Sequence, residues 1–206
     1  MSGTVFWDVD TQVDFVHAAG KLPVPNAEEA VPAMARLVRW AEERGITHLA
    51  TADDHELTDP ELSDEPDYET TFPPHCLRGT PGSAKIPETA QRDPLPLSLT
   101  PYPPALVPAL VRDRREVLLL KKTYSAFSNP NLEPLLAALD PDEVLVFGVA
   151  TDVCNHAAIL GLLARGRRVA FVEDASRGLD DGRVAAALEQ WRAGGVRFTT
   201  SGEVLG

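Results

Sequence analysis

Short apolar runs alternate along the chain with segments that have helical periodicity. Residues 27–44 carry apolar side chains at the i, i+3, i+4 spacing of an amphipathic helix, and Gly45 is a typical residue to end it. The apolar positions of this segment are Ala30, Met34, Leu37, Val38 and Ala41. Further helices are predicted over residues 132–139, 154–165 and 183–193, and strands over residues 4–9, 47–52, 116–120, 143–148, 168–172 and 196–198.

This alternation predicts a doubly wound α/β fold: a mainly parallel sheet of about six strands with helices on both faces, in three layers. The length of 206 residues suits one compact domain, so we predict a single domain over residues 1–206. Residues 53–111 depart from the pattern because they are acidic, rich in proline and low in periodicity. A segment of that length without regular structure indicates either a functional loop region or a missed element, and we favour a loop region that binds metal and substrate.

Charge and composition exclude several classes of function. The chain has 19 Lys and Arg against 31 Asp and Glu, a net charge of −12, which argues against nucleic-acid and membrane partners. No run approaches the roughly 18 continuous apolar residues of a membrane helix. Acidic residues interrupt the first apolar run, which is unlike a signal peptide, and two cysteines are too few for a disulfide framework. We therefore expect a soluble, cytoplasmic protein.

Chemically capable side chains follow four successive predicted strands. Asp10 follows the first strand, Asp53 and His55 the second, Lys121 the third, and Cys154 lies just beyond the fourth. Ligands of open parallel sheets bind beyond the carboxyl ends of the strands. A carboxylate, an imidazole, a lysine and a thiol are thus expected to meet at one edge of the sheet.

Cys154 is the candidate nucleophile. It begins a predicted helix, where backbone N–H groups and the helix dipole favour a thiolate and could hold an oxyanion. A lone cysteine is more often a packed core residue, so the hypothesis depends on its companions. Asp10 could act as the base, and a lysine could stabilise the thiolate, although a turn residue and a solvated charge are the alternatives. Spacing alone does not decide between Lys121 and Lys122.

A second cluster has the composition of a metal site. Asp53, His55, Glu61 and His75 all lie in the acidic, proline-rich region. The Asp-x-His spacing points two side chains to the same side of an extended segment. Imidazole and carboxylate ligands together suit Zn, Fe or Mn. The alternative is a pair of loop histidines within a solvated acidic run.

Three motifs, in order, resemble those of the isochorismatase-like cysteine hydrolases, a family that includes nicotinamidases. They are residues 10–15 (Asp-Thr-Gln-Val-Asp-Phe), residues 121–127 (Lys-Lys-Thr-Tyr-Ser-Ala-Phe) and residues 148–154 (Gly-Val-Ala-Thr-Asp-Val-Cys). The resemblance implies a catalytic triad of Asp10, Lys121 and Cys154. It also implies a cis peptide bond before Ala150 and an oxyanion hole formed by the N–H groups of Ala150 and Cys154.

Two further segments resemble the nicotinamidase branch of that family. Residues 53–55 match its D-x-H motif, and residues 72–82 match W-P-x-H-C-x-x-G-T-x-G, with Phe72 in place of the tryptophan. The intervening histidine of the family falls on Glu61. The resemblance implies one divalent transition metal ion, Zn first and Fe or Mn as alternatives, and that ion could coordinate a pyridine nitrogen of the substrate. Its ligands would be Asp53, His55, Glu61 and His75. Phe15 and Phe72 are the candidates to sandwich an aromatic ring.

These features together predict a metal-dependent amidohydrolase that converts nicotinamide and water to nicotinate and ammonia. Its expected partner is a small-molecule amide, and formation of a homo-oligomer stays open. Only two residues separate Lys121 from Tyr124, a short link that resembles other branches of the family. The alternatives are therefore another family hydrolase, acting on a different small amide or an isochorismate-type substrate, and a non-catalytic small-molecule binder.

Overall fold

The computed structural model describes residues 3–206, which form seven strands and seven α-helices. The strands are β1 (Thr4–Val9), β2 (Thr47–Asp53), β3 (Leu95–Leu97), β4 (Glu116–Lys121), β5 (Glu143–Val149), β6 (Val169–Arg177) and β7 (Arg197–Thr199). The helices are α1 (Val13–Val16), α2 (Ala27–Arg44), α3 (Val107–Val111), α4 (Leu132–Leu139), α5 (Cys154–Leu163), α6 (Asp181–Ala193) and α7 (Ser201–Leu205). None of the helices in this described range is both long and apolar enough to cross a membrane.

All seven strands lie in one parallel sheet with the order β3-β4-β2-β1-β5-β6-β7. The sheet has β1 at its centre, with β2, β4 and β3 on one side of it and β5, β6 and β7 on the other. The direction of winding therefore changes between β1 and β5, which are neighbours. Strand order reverses at this point, and a crevice for a ligand opens at the carboxyl ends of such strands.

The two faces of the sheet bury separate apolar clusters, since successive side chains of each strand point to opposite faces. On β1, Trp7 packs in the cluster covered by α3, α4, α5 and α6, while Phe6 packs in the cluster covered by α1 and α2. Met34 and Leu37, from the apolar face of α2, are fully buried in the second cluster. The predicted α/β fold with helices on both faces of a parallel sheet is confirmed.

The structure differs from the prediction within residues 53–111, which are not wholly irregular. This region contains the short strand β3 and the short helix α3. Pro96 lies in the middle of β3, and proline is tolerated there because β3 is an edge strand with one side unpaired. The proline-rich composition therefore concealed a seventh strand. Of the predicted elements, β6 differs most, because it runs beyond a register shift to pair Arg177 with Val149.

Candidate active site and metal cluster

Three side chains from the ends of β1 and β4 and from the start of α5 meet at the crevice. Asp10 directly follows β1, Lys121 is the last residue of β4, and Cys154 is the first residue of α5, five residues beyond β5. The Lys121 Nζ atom lies 2.9 Å from Asp10 Oδ2 and 3.8 Å from Cys154 Sγ. All three side chains are buried. The structure thus brings the predicted triad residues together, with the ammonium group in contact with both other members.

Lys121 also joins the triad to the second cluster. It is paired in register with Asp53 on the neighbouring strand β2, and its Nζ atom lies 2.5 Å from Asp53 Oδ1. The next residue, Lys122, points away and contacts Asp59. The alternation of side chains in an extended chain therefore resolves the choice that spacing left open: Lys121 is the inward lysine.

Asp10 and Gln12 shape the end of β1. Asp10 has a φ of +50°, a left-handed conformation that aspartate tolerates better than most residues. The Gln12 carboxamide accepts a hydrogen bond from the Asp53 N–H at 2.7 Å and donates to the carbonyls of Asp53 and Ser83, both at 2.8 Å. Gln12 therefore fixes the end of β2 relative to β1, a role that sequence reasoning missed although this glutamine belongs to the first motif.

Burial controls the protonation of the triad. It raises the pKa of the Cys154 thiol well above its usual range, and the positive charge of Lys121 does not offset burial and the nearby Asp10 carboxylate. Burial also raises the pKa of Asp10, with Lys121 opposing the shift. Burial therefore works against the thiolate that the helix start is expected to favour, and proton transfer from this thiol calls for a base.

Asp10 is the group placed to be that base. In the described part of the chain, neither of its carboxylate oxygens has a hydrogen-bond partner that satisfies distance and angle, although Lys121 is close enough for an ion pair. A buried carboxylate with free lone pairs beside a neutral thiol can accept the thiol proton.

The segment between β5 and α5 carries the two backbone N–H groups that the resemblance assigns to an oxyanion hole, those of Ala150 and Cys154. The Val149–Ala150 peptide bond is cis, as the resemblance implied. The Ala150 carbonyl accepts hydrogen bonds from the N–H groups of Val153 and Asn155, at 3.1 and 3.0 Å, and not from that of Cys154. Gly148 has a φ of +114° and passes so close to β1 that a Cβ atom would overlap the Val9 backbone. This close approach brings the start of α5 beside Asp10.

Four buried side chains form a metal-type cluster next to the triad: Asp53, His55, Glu61 and His75. One potential ligand atom from each lies within 4.8 Å of those from the others. The Nε2 atom of His75 is 3.5 Å from Asp53 Oδ2, and that of His55 is 3.9 Å from both Asp53 Oδ2 and Glu61 Oε1. The structure thus gathers the four predicted ligands around one point.

The two imidazoles are oriented as metal ligands usually are. The Nδ1 atom of His75 lies 2.7 Å from the Pro73 carbonyl, and that of His55 lies 3.3 Å from the Asp59 carboxylate. Because these acceptors hold the proton on Nδ1, each Nε2 atom presents a lone pair to the cluster. The buried Nε2 of His55 has no hydrogen-bond partner among residues 3–206. A buried nitrogen that has a free lone pair and lies next to two carboxylates is in a suitable arrangement to bind a cation.

Glu61 occupies the place where the resemblance put a family histidine. Its Oε2 atom accepts a hydrogen bond from the Tyr124 N–H at 2.7 Å, which leaves Oε1 facing the cluster. Burial raises the pKa of Glu61 to about 7, with the Lys121 charge opposing and the Asp53 charge adding to the shift. A divalent cation in the cluster would favour the ionised form. The carboxylate therefore suits this position as a ligand.

Asp14 organises the loop that delivers His75. Its Oδ2 atom accepts a hydrogen bond from the Cys76 N–H at 2.7 Å, and its Oδ1 atom accepts one from the Lys21 N–H at 3.1 Å. Gly82 packs directly on the Asp14 carboxylate, where any Cβ atom would overlap it. Sequence reasoning missed this role, although Asp14 belongs to the first motif.

A narrow and mostly apolar cavity lies between the triad and the metal-type cluster. Its lining consists of Phe15, Leu22, Val24, Asp53, Glu61, Phe72, His75, Tyr124, Ala150, Val153, Cys154 and Leu179. The rings of Phe15 and Phe72 lie 5.0 and 6.3 Å from the His75 ring, between centroids. Both predicted aromatic contacts therefore line it. A larger depression beside Trp40 lies at the opposite ends of the strands and contains none of these groups.

Comparisons with known proteins identify the family to which the chain is similar. The isochorismatase domain family matches residues 5–203. The nicotinamidase of Escherichia coli K12 is 26% identical, covering 93% of this chain and 92% of that protein. The nicotinamidase/pyrazinamidase of Mycobacterium tuberculosis H37Rv is 30% identical, covering 94% and 96%. The structure of a pyrazinamidase from Pyrococcus horikoshii in complex with zinc has a TM-score of 0.74 at 25% identity, covering 96% and 99%.

Proposed function

Because the chain belongs to the isochorismatase family of hydrolases, we propose that it is a cysteine amidohydrolase that converts nicotinamide and water to nicotinate and ammonia. One observation carries the proposal: Cys154, which has a neighbouring base, lines the same narrow cavity as three members of the metal-type cluster, which are Asp53, Glu61 and His75. The names of the two relatives support the choice of substrate.

The first half-reaction begins with proton transfer from the Cys154 thiol to Asp10. Lys121 stabilises the thiolate as it forms, since its Nζ atom is 3.8 Å from the sulfur. The sulfur attacks the carboxamide carbon, and the N–H groups of Ala150 and Cys154 donate hydrogen bonds to the oxyanion. Asp10 then returns the proton to the amide nitrogen as the C–N bond breaks. Ammonia leaves and the substrate acyl group remains on Cys154 as a thioester.

The second half-reaction consumes water. Asp10, ionised again, accepts a proton from a water molecule as its oxygen attacks the thioester carbon. The C–S bond breaks, Asp10 passes its proton to the sulfur, and the product leaves as nicotinate after losing its carboxyl proton to solvent. Phe15 and Phe72 enclose the aromatic ring and exclude further water from the cavity.

Asp53, His55, Glu61 and His75 would hold a divalent transition ion, with Zn first and Fe or Mn as alternatives. When bound, the ion supplies an electron-pair acceptor for the ring nitrogen of the substrate.

Ammonia release from a panel of amides tests the proposal. The panel compares nicotinamide with benzamide, which has the same shape but no ring nitrogen, and with an aliphatic carbamoyl amide. We expect nicotinamide to be hydrolysed best, and we expect a chelator to reduce that rate towards the rate with benzamide. Equal rates for nicotinamide and benzamide, unaffected by chelator, would contradict a role of the metal in substrate binding.

The second candidate is another family hydrolase that acts on a different small amide. The short link of Lys122 and Thr123 between Lys121 and Tyr124 favours it. Preference for the aliphatic amide in the same panel would establish this alternative and exclude nicotinamide as the main substrate.

Replacing His55 with alanine is expected to remove the bound metal, because the variant loses a buried ligand whose Nε2 atom faces the cluster. Elemental analysis measures the metal content of native and variant protein after purification without chelator and incubation with Zn, Mn or Fe. His17→Ala is the control, because this histidine is partly exposed and pairs with Glu28 on the surface. A native protein that holds no metal under these conditions would contradict the metal site.

A further inference from the structure

The second lysine of the pair at the end of β4 has contacts that the reaction does not use. Lys122 Nζ lies 2.7 and 2.8 Å from the two carboxylate oxygens of Asp59 and 3.4 Å from Glu56 Oε2. About a quarter of its side chain is exposed, whereas the Asp59 side chain is 10% exposed. Lys122 therefore forms an ion pair with the Asp59 carboxylate from the solvent side.

The inner side of the same carboxylate faces a metal-type ligand. Asp59 Oδ2 lies 3.3 Å from His55 Nδ1 and accepts a hydrogen bond from the Glu56 N–H at 2.8 Å. The His55 side chain is fully buried, and its Nε2 atom points to the cluster. A continuous row of polar contacts thus runs from Lys122 through Asp59 to His55.

We propose that Asp59 is a positioning residue for His55 as a metal ligand, and that Lys122 holds Asp59 in place. The carboxylate keeps the imidazole proton on Nδ1, fixes the ring orientation and increases the electron-donating strength of Nε2. Carboxylates that contact a ligand histidine in this way strengthen metal binding in other proteins. The two adjacent lysines then have parallel tasks: Lys121 contacts Asp53 within the cluster, and Lys122 contacts the carboxylate behind it.

This inference depends on the proposed metal site and not on the identity of the substrate. The test is therefore the affinity of the purified, metal-free protein for Zn²⁺, measured by competition with a chromophoric chelator. Asp59→Asn keeps the shape and an oxygen that accepts from the Glu56 N–H, but it loses the charge. We expect it to weaken Zn²⁺ binding by about 10- to 100-fold. Lys122→Met should weaken binding by a smaller factor.

Glu56→Gln is the matched control, because Glu56 contacts Lys122 and Arg78 at the surface without its side chain reaching His55. It should bind Zn²⁺ like the native protein. Lys122→Met should have no further effect when Asp59→Asn is already present, because the two residues act through one contact. Thermal unfolding of the metal-free variants checks that the loop remains folded.

Three results would each overturn a different part of this inference. A native protein without affinity for Zn²⁺ would overturn the metal site itself. A native protein that binds Zn²⁺, with an Asp59→Asn variant whose affinity agrees within about twofold, would overturn only the role of Asp59, since a loss of about 10-fold or more is expected from such a contact. An equal effect of Lys122→Met with and without Asp59→Asn would show that Lys122 does not act through Asp59.

Discussion

The Cys154→Ala variant is expected to lose nicotinamide hydrolysis almost completely, with a decrease in kcat of at least about 10³-fold. In the proposed reaction the sulfur forms the only covalent bond to the substrate. Alanine leaves Asp10 and Lys121 in contact with each other but provides no nucleophile. Ammonia release under saturating nicotinamide is the measurement.

The loss should occur in a folded protein, because the change removes one buried sulfur atom at the start of α5 and leaves the helix backbone intact. Thermal unfolding of native and variant protein tests this. Cys76→Ala is the matched control, since Cys76 is the other buried free cysteine of the chain and its contact with Asp14 is made by the backbone. This control should keep most of the activity. A Cys154→Ala protein with a tenth of the native rate would contradict the covalent mechanism.

The second large effect is expected for Asp10→Asn, which should reduce kcat/KM by about 10²- to 10⁴-fold. The amide has the shape of the carboxylate but does not accept the thiol proton. Burial still raises the pKa of the Cys154 thiol in this variant, so burial disfavours the thiolate and the thiol has no acceptor for its proton. Nicotinamide affinity, measured by equilibrium dialysis, should change little, which separates loss of the base from loss of substrate binding.

Asp54→Asn provides the control for a carboxylate at a strand end. Asp54 directly follows β2, but its side chain points outward to Arg78, with the Nε atom at 2.8 Å. We expect this variant to keep its activity. If Asp10→Asn keeps a kcat/KM within about tenfold of the native value, Asp10 is not the base that activates Cys154.

The sequence predicted the positions of site residues best where these follow directly from the order of strands and helices. In a parallel sheet the carboxyl ends of all strands meet at one edge, so Asp10, Asp53 and Lys121 could be placed together from strand positions alone. The four metal-type ligands followed from residue type and from the resemblance. The structure gathers all four within 4.8 Å, including Glu61, where the family pattern has a histidine.

Other features depend on contacts between distant parts of the chain, which local patterns do not reveal. Gln12 bonds to Asp53, 41 residues away, and Asp14 bonds to Cys76, 62 residues away. The choice between Lys121 and Lys122 depends on which face of β4 meets the cavity. Burial among carboxylates raises the pKa of the Cys154 thiol, and the position of this residue at a helix start does not reveal that environment.

The central claim is that Cys154 carries the acyl group of nicotinamide during turnover. Its most direct test is acid quenching of the metal-loaded protein during hydrolysis of saturating nicotinamide, followed by peptide mass spectrometry. We predict the mass increase of one nicotinoyl group on the peptide that contains Cys154, and none on the peptide that contains Cys76. Steady ammonia release with the Cys154 peptide unmodified, or with the nicotinoyl group on another residue, would contradict the account.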